Sequence, residues 1–200
     1  MSKGKVYPIN EIFYSLQGEG FHTGQPAIFV RFAGCNLSCP WCDTDYSTKG
    51  IMTIDDIIKE VENYESWHLI LTGGEPSIQA TSEFIQPFKD IGYFVHMETN
   101  GTREVAMNVD WITVSPKVKW QPQEDWIQLT GNELKLVYDG QSEEELQEIV
   151  DTTSFDHYYL QPEWNQFNGL KKFGPKVVEV AKRNPTWKVS LQTQKLLGIL

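Results

Sequence analysis

Three cysteines, Cys35, Cys39 and Cys42, fall within the short segment Cys35-Asn-Leu-Ser-Cys39-Pro-Trp-Cys42, and the 200-residue chain has no others. An odd count packed so closely makes little sense as a disulfide framework. As metal ligands the thiols admit two readings. Three thiolates can ligate three irons of a 4Fe-4S cube and leave the fourth iron open, which suits catalysis, whereas an electron carrier normally closes its shell with a fourth cysteine. Alternatively, one of His22, His68, His96 or His157 completes a zinc tetrahedron, although structural zinc usually uses paired knuckles and this sequence has only one such pair.

The other segments able to do chemistry are polar and marked by Gly or Pro: Thr72-Gly-Gly-Glu-Pro76, Glu98-Thr-Asn-Gly-Thr102, Ser115-Pro-Lys117 and Gln161-Pro-Glu163. Each follows a short apolar run that reads as a strand. Strands are expected at Ala27 to Phe32, His68 to Leu71, Tyr93 to Thr99, Trp111 to Val114, Glu133 to Tyr138, His157 to Leu160 and Trp187 to Leu191. Amphipathic helices are expected between several of them, at Thr53 to Tyr64, Ser82 to Asp90, Ser142 to Val150 and Pro175 to Arg183. Thr53 and Ser142 suit helix starts, as do the acidic residues that follow them. Strands alternating with helices mean a parallel α/β sheet. The spacing leaves two forms open, a doubly wound sheet or one curled into a barrel; about seven strands are fewer than a closed eight-stranded barrel needs, a partial barrel fits the count, and the expectation is a single-domain, incomplete (β/α)6-type barrel with parallel strands. In such a fold, ligands bind at the C-terminal strand ends, where the polar segments lie.

Composition narrows the function classes. Forty per cent hydrophobic residues, seven Trp, eight Tyr and ten Phe describe a packed globular protein, not a disordered one. Seventeen basic against 27 acidic residues leave a formal charge of −10, which offers no general attraction to nucleic acid or anionic membranes. The N-terminus lacks an apolar run and no stretch is long enough to span a bilayer, so the expectation is a cytoplasmic protein with residues 1–200 in one domain. Trp111, Trp120, Trp126 and Trp164 read as core or interface residues.

The C-x3-C-x2-C spacing with Trp41 before the last cysteine resembles the signature of the radical S-adenosylmethionine superfamily, and Thr72-Gly-Gly-Glu-Pro76 resembles its Gly-Gly-Glu loop. Taken alone, Gly73-Gly74 would be an ordinary strand-end turn. A narrower resemblance comes from the flanks. Phe13-Tyr-Ser-Leu-Gln-Gly-Glu-Gly20, Arg31-Phe-Ala-Gly-Cys35, Cys42-Asp-Thr44, Glu98-Thr-Asn-Gly101, Val114-Ser-Pro-Lys117 and Leu191-Gln-Thr-Gln-Lys-Leu-Leu-Gly198 resemble the 7-carboxy-7-deazaguanine synthase family nearly end to end.

That resemblance implies a lyase that contracts the ring of 6-carboxy-5,6,7,8-tetrahydropterin to 7-carboxy-7-deazaguanine on the route to queuosine. It implies a 4Fe-4S cluster on Cys35, Cys39 and Cys42, S-adenosyl-L-methionine as a regenerated cofactor, and magnesium on Thr44. Pterin contacts are implied at Leu16, Gln17, Gly18, Glu19, Arg31 and Thr72. Cofactor contacts are implied at Gly73, Gly74, Glu75, Thr99, Asn100, Ser115, Pro116 and Lys117. It further implies a homodimer of incomplete α/β barrels and an external electron donor such as flavodoxin or ferredoxin. A fixed guanidinium fork suits a substrate carboxylate, and a lone hydroxyl holds magnesium only if substrate oxygens and waters complete the octahedron. Read alone, Arg31 is also a candidate ion-pair partner, Thr44 a turn residue beside Asp43, and Glu19 a charged loop residue. The rival readings are a glycyl-radical-enzyme activase, which shares the cysteine spacing, and a noncatalytic zinc- or cluster-binding module. One departure stands out: the family commonly has His within Gln-Thr-His-Lys, whereas this chain has Gln194, which cannot titrate. A carboxylate at Leu200 near the site is a further expectation.

Overall fold

The computed structural model describes residues 5–40, 42–117, 126–164, 169–170 and 172–199; Trp41, Trp120 and Leu200 lie outside the described residues. One nine-stranded sheet runs through these residues in the order β3-β1-β2-β4-β5-β6-β7-β8-β9. The seven expected strands are all present as a parallel run: β2 (Pro26–Phe32), β4 (His68–Gly73), β5 (Phe94–Thr99), β6 (Trp111–Val114), β7 (Thr130–Tyr138), β8 (Ser154–Pro162) and β9 (Trp187–Val189). The sheet does not close, since β9 pairs only with β8 and the opposite edge is β3. The architecture is therefore an α/β incomplete barrel, as expected.

Two strands add an antiparallel margin that sequence patterning missed, β1 (Val6–Leu16) against β2 and β3 (Gly50–Thr53) against β1. The reason lies in β1 itself. Its register shifts between Ile9 and Glu11, so Tyr7 and Ile9 face the helix-side core before the bulge and Ile12 faces it afterwards. A bulge inserts one residue and reverses the alternation, which erases the period-two signal over the full strand.

Four helices connect the parallel strands on one face: α1 (Ile54–Val61), α2 (Ser82–Asp90), α3 (Glu143–Thr152) and α4 (Gly174–Arg183). α1 and α3 begin with reciprocal capping boxes, Thr53 with Asp56 and Ser142 with Glu145. α1 stops at Val61, short of the expected Tyr64, and the chain turns there. The β5–β6 connection has no helix; Val105, Ala106 and Val109 cover the core in its place. Alternate residues of each strand feed this helix-side core: Ile28, Val30 and Phe32 of β2, Leu69 and Leu71 of β4, and Val95 and Met97 of β5 pack with Phe84 and Phe88 of α2. Leu134, Leu136, Tyr158 and Leu160 pack with Val177 and Val180 of α4. A short α5 (Thr193–Leu197) follows β9. No helix among the described residues is long and apolar enough to cross a membrane.

The intervening residues point into the barrel. Register aligns Phe29, Ile70, His96 and Trp111 across successive strands, and one step on Arg31 with Thr72 and Glu98 with Thr113. The lumen is thus polar, with its floor made by histidine rings. His68 and His96 are buried and share an Nε2···Nδ1 contact of 3.3 Å, and His96 Nε2 lies 2.8 Å from Thr113 Oγ1. Phe21 and His22, from the β1–β2 connection, pack onto this layer against Trp111 and His157.

Burial, reinforced by His22, pulls the His68 imidazole down to about 4, and burial holds His96 well below its usual value. The unfolded chain therefore takes up protons near pH 6.5 that the native floor refuses, and stability falls as pH drops from there toward 4. For His68 alone the loss between pH 7 and 4.5 is about 2 kcal/mol. Urea unfolding of the parent and of His68→Gln at both pH values checks this: the variant should lose that much less stability on acidification.

Candidate active site

The cysteine loop is fastened to the barrel at its root. Gly34 N donates to Tyr46 O at 2.9 Å, Gly34 O accepts from Glu75 N at 3.0 Å, and Phe32 O accepts from Gly74 N at 3.1 Å. The loop after β4 therefore runs backbone against backbone with the start of the cysteine loop. A Cβ on Gly74 would lie 1.9 Å from Gly34 O, and one on Gly73, at φ +124°, would lie 2.3 Å from Phe32 O. Only glycine allows that approach. Gly73 and Gly74 are thus more than a strand-end turn, because they bring the cysteine loop and the β4 loop to one place.

Glu75 joins a third loop to these two. Its carboxylate is buried; Oε1 accepts from Thr99 Oγ1 at 2.7 Å and from Ser77 N at 3.0 Å, and Oε2 accepts from Asn100 N at 2.7 Å. Asn100 in turn donates to Asn36 Oδ1 at 3.1 Å, and Asn36 donates to Thr102 Oγ1 at 2.9 Å. Glu75 stands behind the cavity wall, spent on backbone and hydroxyl donors, and Pro116 is also off the wall.

Every other anticipated site residue lines one cavity of about 540 Å³ at the C-terminal ends of the parallel strands. Cys35, Cys39 and Cys42 share it with Leu16 to Glu19, Arg31, Thr44, Thr72, Thr99, Ser115 and Lys117. No histidine lines it. All four lie in the floor layer, so none of them completes a zinc tetrahedron with these thiols. Three soft sulfur donors on one cavity wall, with no histidine among the residues that line it, suit the donor chemistry of a cluster with an open iron. Burial raises the thiols of Cys35 and Cys39, and the Lys117 ammonium partly offsets this at Cys39. Lys117 Nζ also donates to Ser115 O at 2.8 Å and Ser115 Oγ at 2.6 Å.

The β1–β2 connection enters the lumen from the open edge and supplies the opposite wall. Its anchor is Lys135 of β7, a residue that motif reading passed over because it sits within an apolar strand. Lys135 is 4% exposed; Nζ lies 2.6 Å from Glu19 Oε2 and 3.5 Å from Glu98 Oε1. Burial alone would lower its proton affinity, but Glu19, Glu98 and Glu133 raise it and keep it a cation. Glu19 is correspondingly pulled down to about 2: burial opposes this, and Lys135 with the amides of Gln192 and Gln194 overcomes it. Those amides donate to Glu19 Oε1 at 2.9 and 3.0 Å. Gln17 Nε2 donates to Glu98 Oε1 at 2.8 Å, and Thr193 N and Oγ1 donate to Gly18 O at 3.0 and 2.8 Å.

Arg31 holds both of its anticipated places. Nε pairs with Glu11 Oε1 at 2.8 Å and the guanidinium lies over Phe13, yet the side chain also lines the cavity. Thr44 lies between Asp43, which pairs with Lys195, and Asp45, which pairs with Lys49 at 3.2 Å. Trp164, expected in the core or at an interface, is on the cavity wall beneath Lys195. Trp126 packs at the edge of the β7–β8 core with its indole N–H given to Gln128 O at 2.9 Å.

Comparison with known proteins agrees with this geometry. Residues 29–117 match the Radical SAM superfamily model. The chain is 44% identical over 192 residues to a 7-carboxy-7-deazaguanine synthase from Bacteroides thetaiotaomicron, covering 96% of this chain and 97% of that one. It is 37% identical over 200 residues to the protein of that name from Haemophilus influenzae, covering 96% and 94%. The crystal structure of QueE from Escherichia coli superposes with a TM-score of 0.78 at 29% identity, covering 93% of each chain.

Removing the cation while leaving its carboxylates should be costly. Lys135→Met leaves Glu19 and Glu98 facing each other in the lumen and should destabilise the protein by about 3 kcal/mol. Adding Glu19→Gln should recover part of that loss, and a double-mutant cycle by urea unfolding reads the coupling. Additive losses would show that the pair does not interact.

Proposed function

The chain belongs to the 7-carboxy-7-deazaguanine synthase family of the radical S-adenosylmethionine superfamily, and from that premise we propose how its own residues divide the work. The substrate is 6-carboxy-5,6,7,8-tetrahydropterin and the product 7-carboxy-7-deazaguanine, formed with loss of ammonia. The observation that supports this best is the convergence of three thiols, the Gly-Gly loop and the Leu16 to Glu19 segment on one small-molecule-sized cavity. The relatives share the name 7-carboxy-7-deazaguanine synthase and not that of a glycyl-radical-enzyme activase, and the zinc reading draws its fourth ligand from a histidine, none of which lines the cavity.

Cys35, Cys39 and Cys42 hold a 4Fe-4S cluster, with Gly73, Gly74, Glu75, Thr99, Ser115, Pro116 and Lys117 forming the S-adenosylmethionine side. Bound there, cluster and cofactor together supply a 5′-deoxyadenosyl radical able to abstract hydrogen. A primary carbon radical requires that water be kept from that site once the ligands are bound. Glu75 acts through what it fixes, since its oxygens are committed to Thr99, Asn100 and Ser77.

The pterin lies against Leu16, Gln17, Gly18, Glu19, Arg31 and Thr72. A flat heterocycle rich in N–H and C=O groups suits the backbone and amide partners of Leu16 to Gly18, and its carboxylate suits Arg31. Glu19, held ionised by Lys135, offers an acceptor to pterin N–H groups. Gln194 occupies the position where the family commonly has His and donates to Glu19 at 3.0 Å; an amide does so at every pH. Thr44 would hold magnesium, a hard cation whose remaining oxygen ligands would come from substrate and water. An external donor such as flavodoxin or ferredoxin would serve the cluster as reductant, and our reading is of a cytoplasmic homodimer with residues 1–200 in one domain. A reducing compartment suits three free thiols.

Anaerobic turnover of 6-carboxytetrahydropterin with dithionite and S-adenosylmethionine tests the reading: the deazaguanine chromophore should appear, and its absence would refute it. Arg31→Lys keeps the charge but loses the fork, so the KM for pterin should rise about tenfold or more. Formation of 5′-deoxyadenosine without substrate should survive that change. For magnesium, Thr44→Ser should keep most of the stimulation and Thr44→Val should lose it while retaining the cluster. A Thr44→Val enzyme that responds to magnesium like the parent places the ion elsewhere.

A further inference from the structure

The segment of 17–25 descends from the cavity to the histidine floor, and β7 holds it at two neighbouring points. The upper point is the Lys135 to Glu19 ion pair at 2.6 Å. The lower point is Glu133, two residues earlier on the same face of β7, whose Oε2 accepts from Phe21 N at 2.8 Å. Between them, Gly20 N donates to Ser190 Oγ at 2.9 Å, and Ser190 Oγ donates to Gln161 Oε1 at 3.0 Å. Glu133 is 2% exposed and is not on the cavity wall.

Shape makes the lower contact as specific as the hydrogen bond does. Gly20 has φ +67°, and a Cβ there would lie 1.9 Å from Glu133 Oε1 and 2.6 Å from its Cδ and Oε2. The last glycine of Gln17-Gly-Glu-Gly20 is therefore the hollow into which the Glu133 carboxyl fits. A carboxyl is an expensive group to keep in this place. Burial above all, with Glu98 and Glu19 nearby, pushes Glu133 up to about 7 in spite of Lys135 and the Phe21 N–H. Were the position only a filler, an apolar side chain would fill it at less expense.

We propose that Glu133 is a positioning residue for the substrate-binding segment: by seating Gly20 and Phe21 from below, it sets the height and orientation of Gln17, Gly18 and Glu19 in the cavity. It touches no substrate and acts through the segment. The inference rests on the pterin reading given above for Leu16 to Glu19. Lys135 and Glu133 have distinct tasks in it. Lys135 fixes the charge and place of Glu19, whereas Glu133 fixes the backbone just past it. With the lower seat lost, the upper contacts persist but the segment can tilt, and a misplacement of about 1 Å in a positioning group can cost up to about a hundredfold.

The test compares Glu133→Gln, which keeps an acceptor for Phe21 N–H, with Glu133→Leu, which does not. In the reconstituted holoenzyme, Glu133→Leu should raise the KM for 6-carboxytetrahydropterin about tenfold. Substrate-free 5′-deoxyadenosine formation and iron content should stay at the parental level. Glu133→Gln should remain within about twofold of the parent. A parental KM in Glu133→Leu would overturn the proposal, and so would a parallel fall of both activities and iron content, which marks a merely structural residue. Hydrogen exchange of amides 17–22 gives a second measurement free of turnover: it should quicken in Glu133→Leu and not in Glu133→Gln. If the parent cleaves S-adenosylmethionine yet leaves the pterin unchanged, the functional reading fails, and the exchange result alone still decides the seat.

Discussion

A buried lysine holds this site together. Lys135 carries its charge in the barrel lumen because Glu19 and Glu98 lie 2.6 and 3.5 Å away, and neither carboxylate would be tolerable there without it. Desolvating such a cluster consumes much of the attraction it gains, so its value is not stability. Its consequence is uniqueness: a nine-residue connection between β1 and β2 has one place in the lumen where Glu19 finds a cation and Gln17 finds Glu98. Displaced from that place, the segment takes from Lys135 its nearer carboxylate and leaves it Glu98 alone at 3.5 Å. The cavity wall is therefore fixed by charge where a loop of this length would otherwise be free to lie outside the barrel.

The opposite wall is fixed by close approach. The glycine pair after β4 lets two backbones touch, and Glu75 extends the contact to the end of β5 and the loop after it through two hydrogen bonds of 2.7 Å, from Thr99 Oγ1 and Asn100 N. Asn36, inside the cysteine motif, joins the same set through Asn100 and Thr102. Three loops from three strands thus share one hydrogen-bonded frame. Groups held this way need no reordering when a ligand arrives, which is what orientation contributes to catalysis.

The motifs of this wall are legible in the sequence because each is local. Cysteine spacing, the Gly-Gly turn and the strand-end positions of Thr99 and Ser115 need only the order of residues and the rule that ligands meet parallel strands at their C-terminal ends. The seven parallel strands are legible for a similar reason, being apolar runs buried on both sides. What resists reading depends on three dimensions. The bulge at Ile9 to Glu11 reverses the pattern of β1 and hides the strand that carries residues 17–25 inward. Lys135 and Glu133 sit within a run read only as an apolar strand, and nothing local marks them until the lumen is seen to be occupied. Histidines at 22, 68, 96 and 157 looked equally able to meet the cysteines, and only the fold sends all of them to the far end.

That segregation has a physical consequence along the barrel axis. The floor refuses protons: burial keeps His68 and His96 neutral. The middle layer is the reverse, with Lys135 and Glu19 both held in their charged forms, and the thiols stand above it. A neutral floor adds no field of its own to the charged layer. The charge presented to the cavity is thus set by Lys135, Lys117, Arg31 and Lys195 and the carboxylates around them. In that setting Gln194 in place of histidine is a consistent choice. Glu19 already has its cation, and a protonatable ring beside it would bring a second positive charge near Lys135 at low pH. Two amide donors, from Gln192 and Gln194, satisfy Glu19 Oε1 without changing charge, so the acceptor facing the cavity stays the same across the pH range in which histidine would titrate.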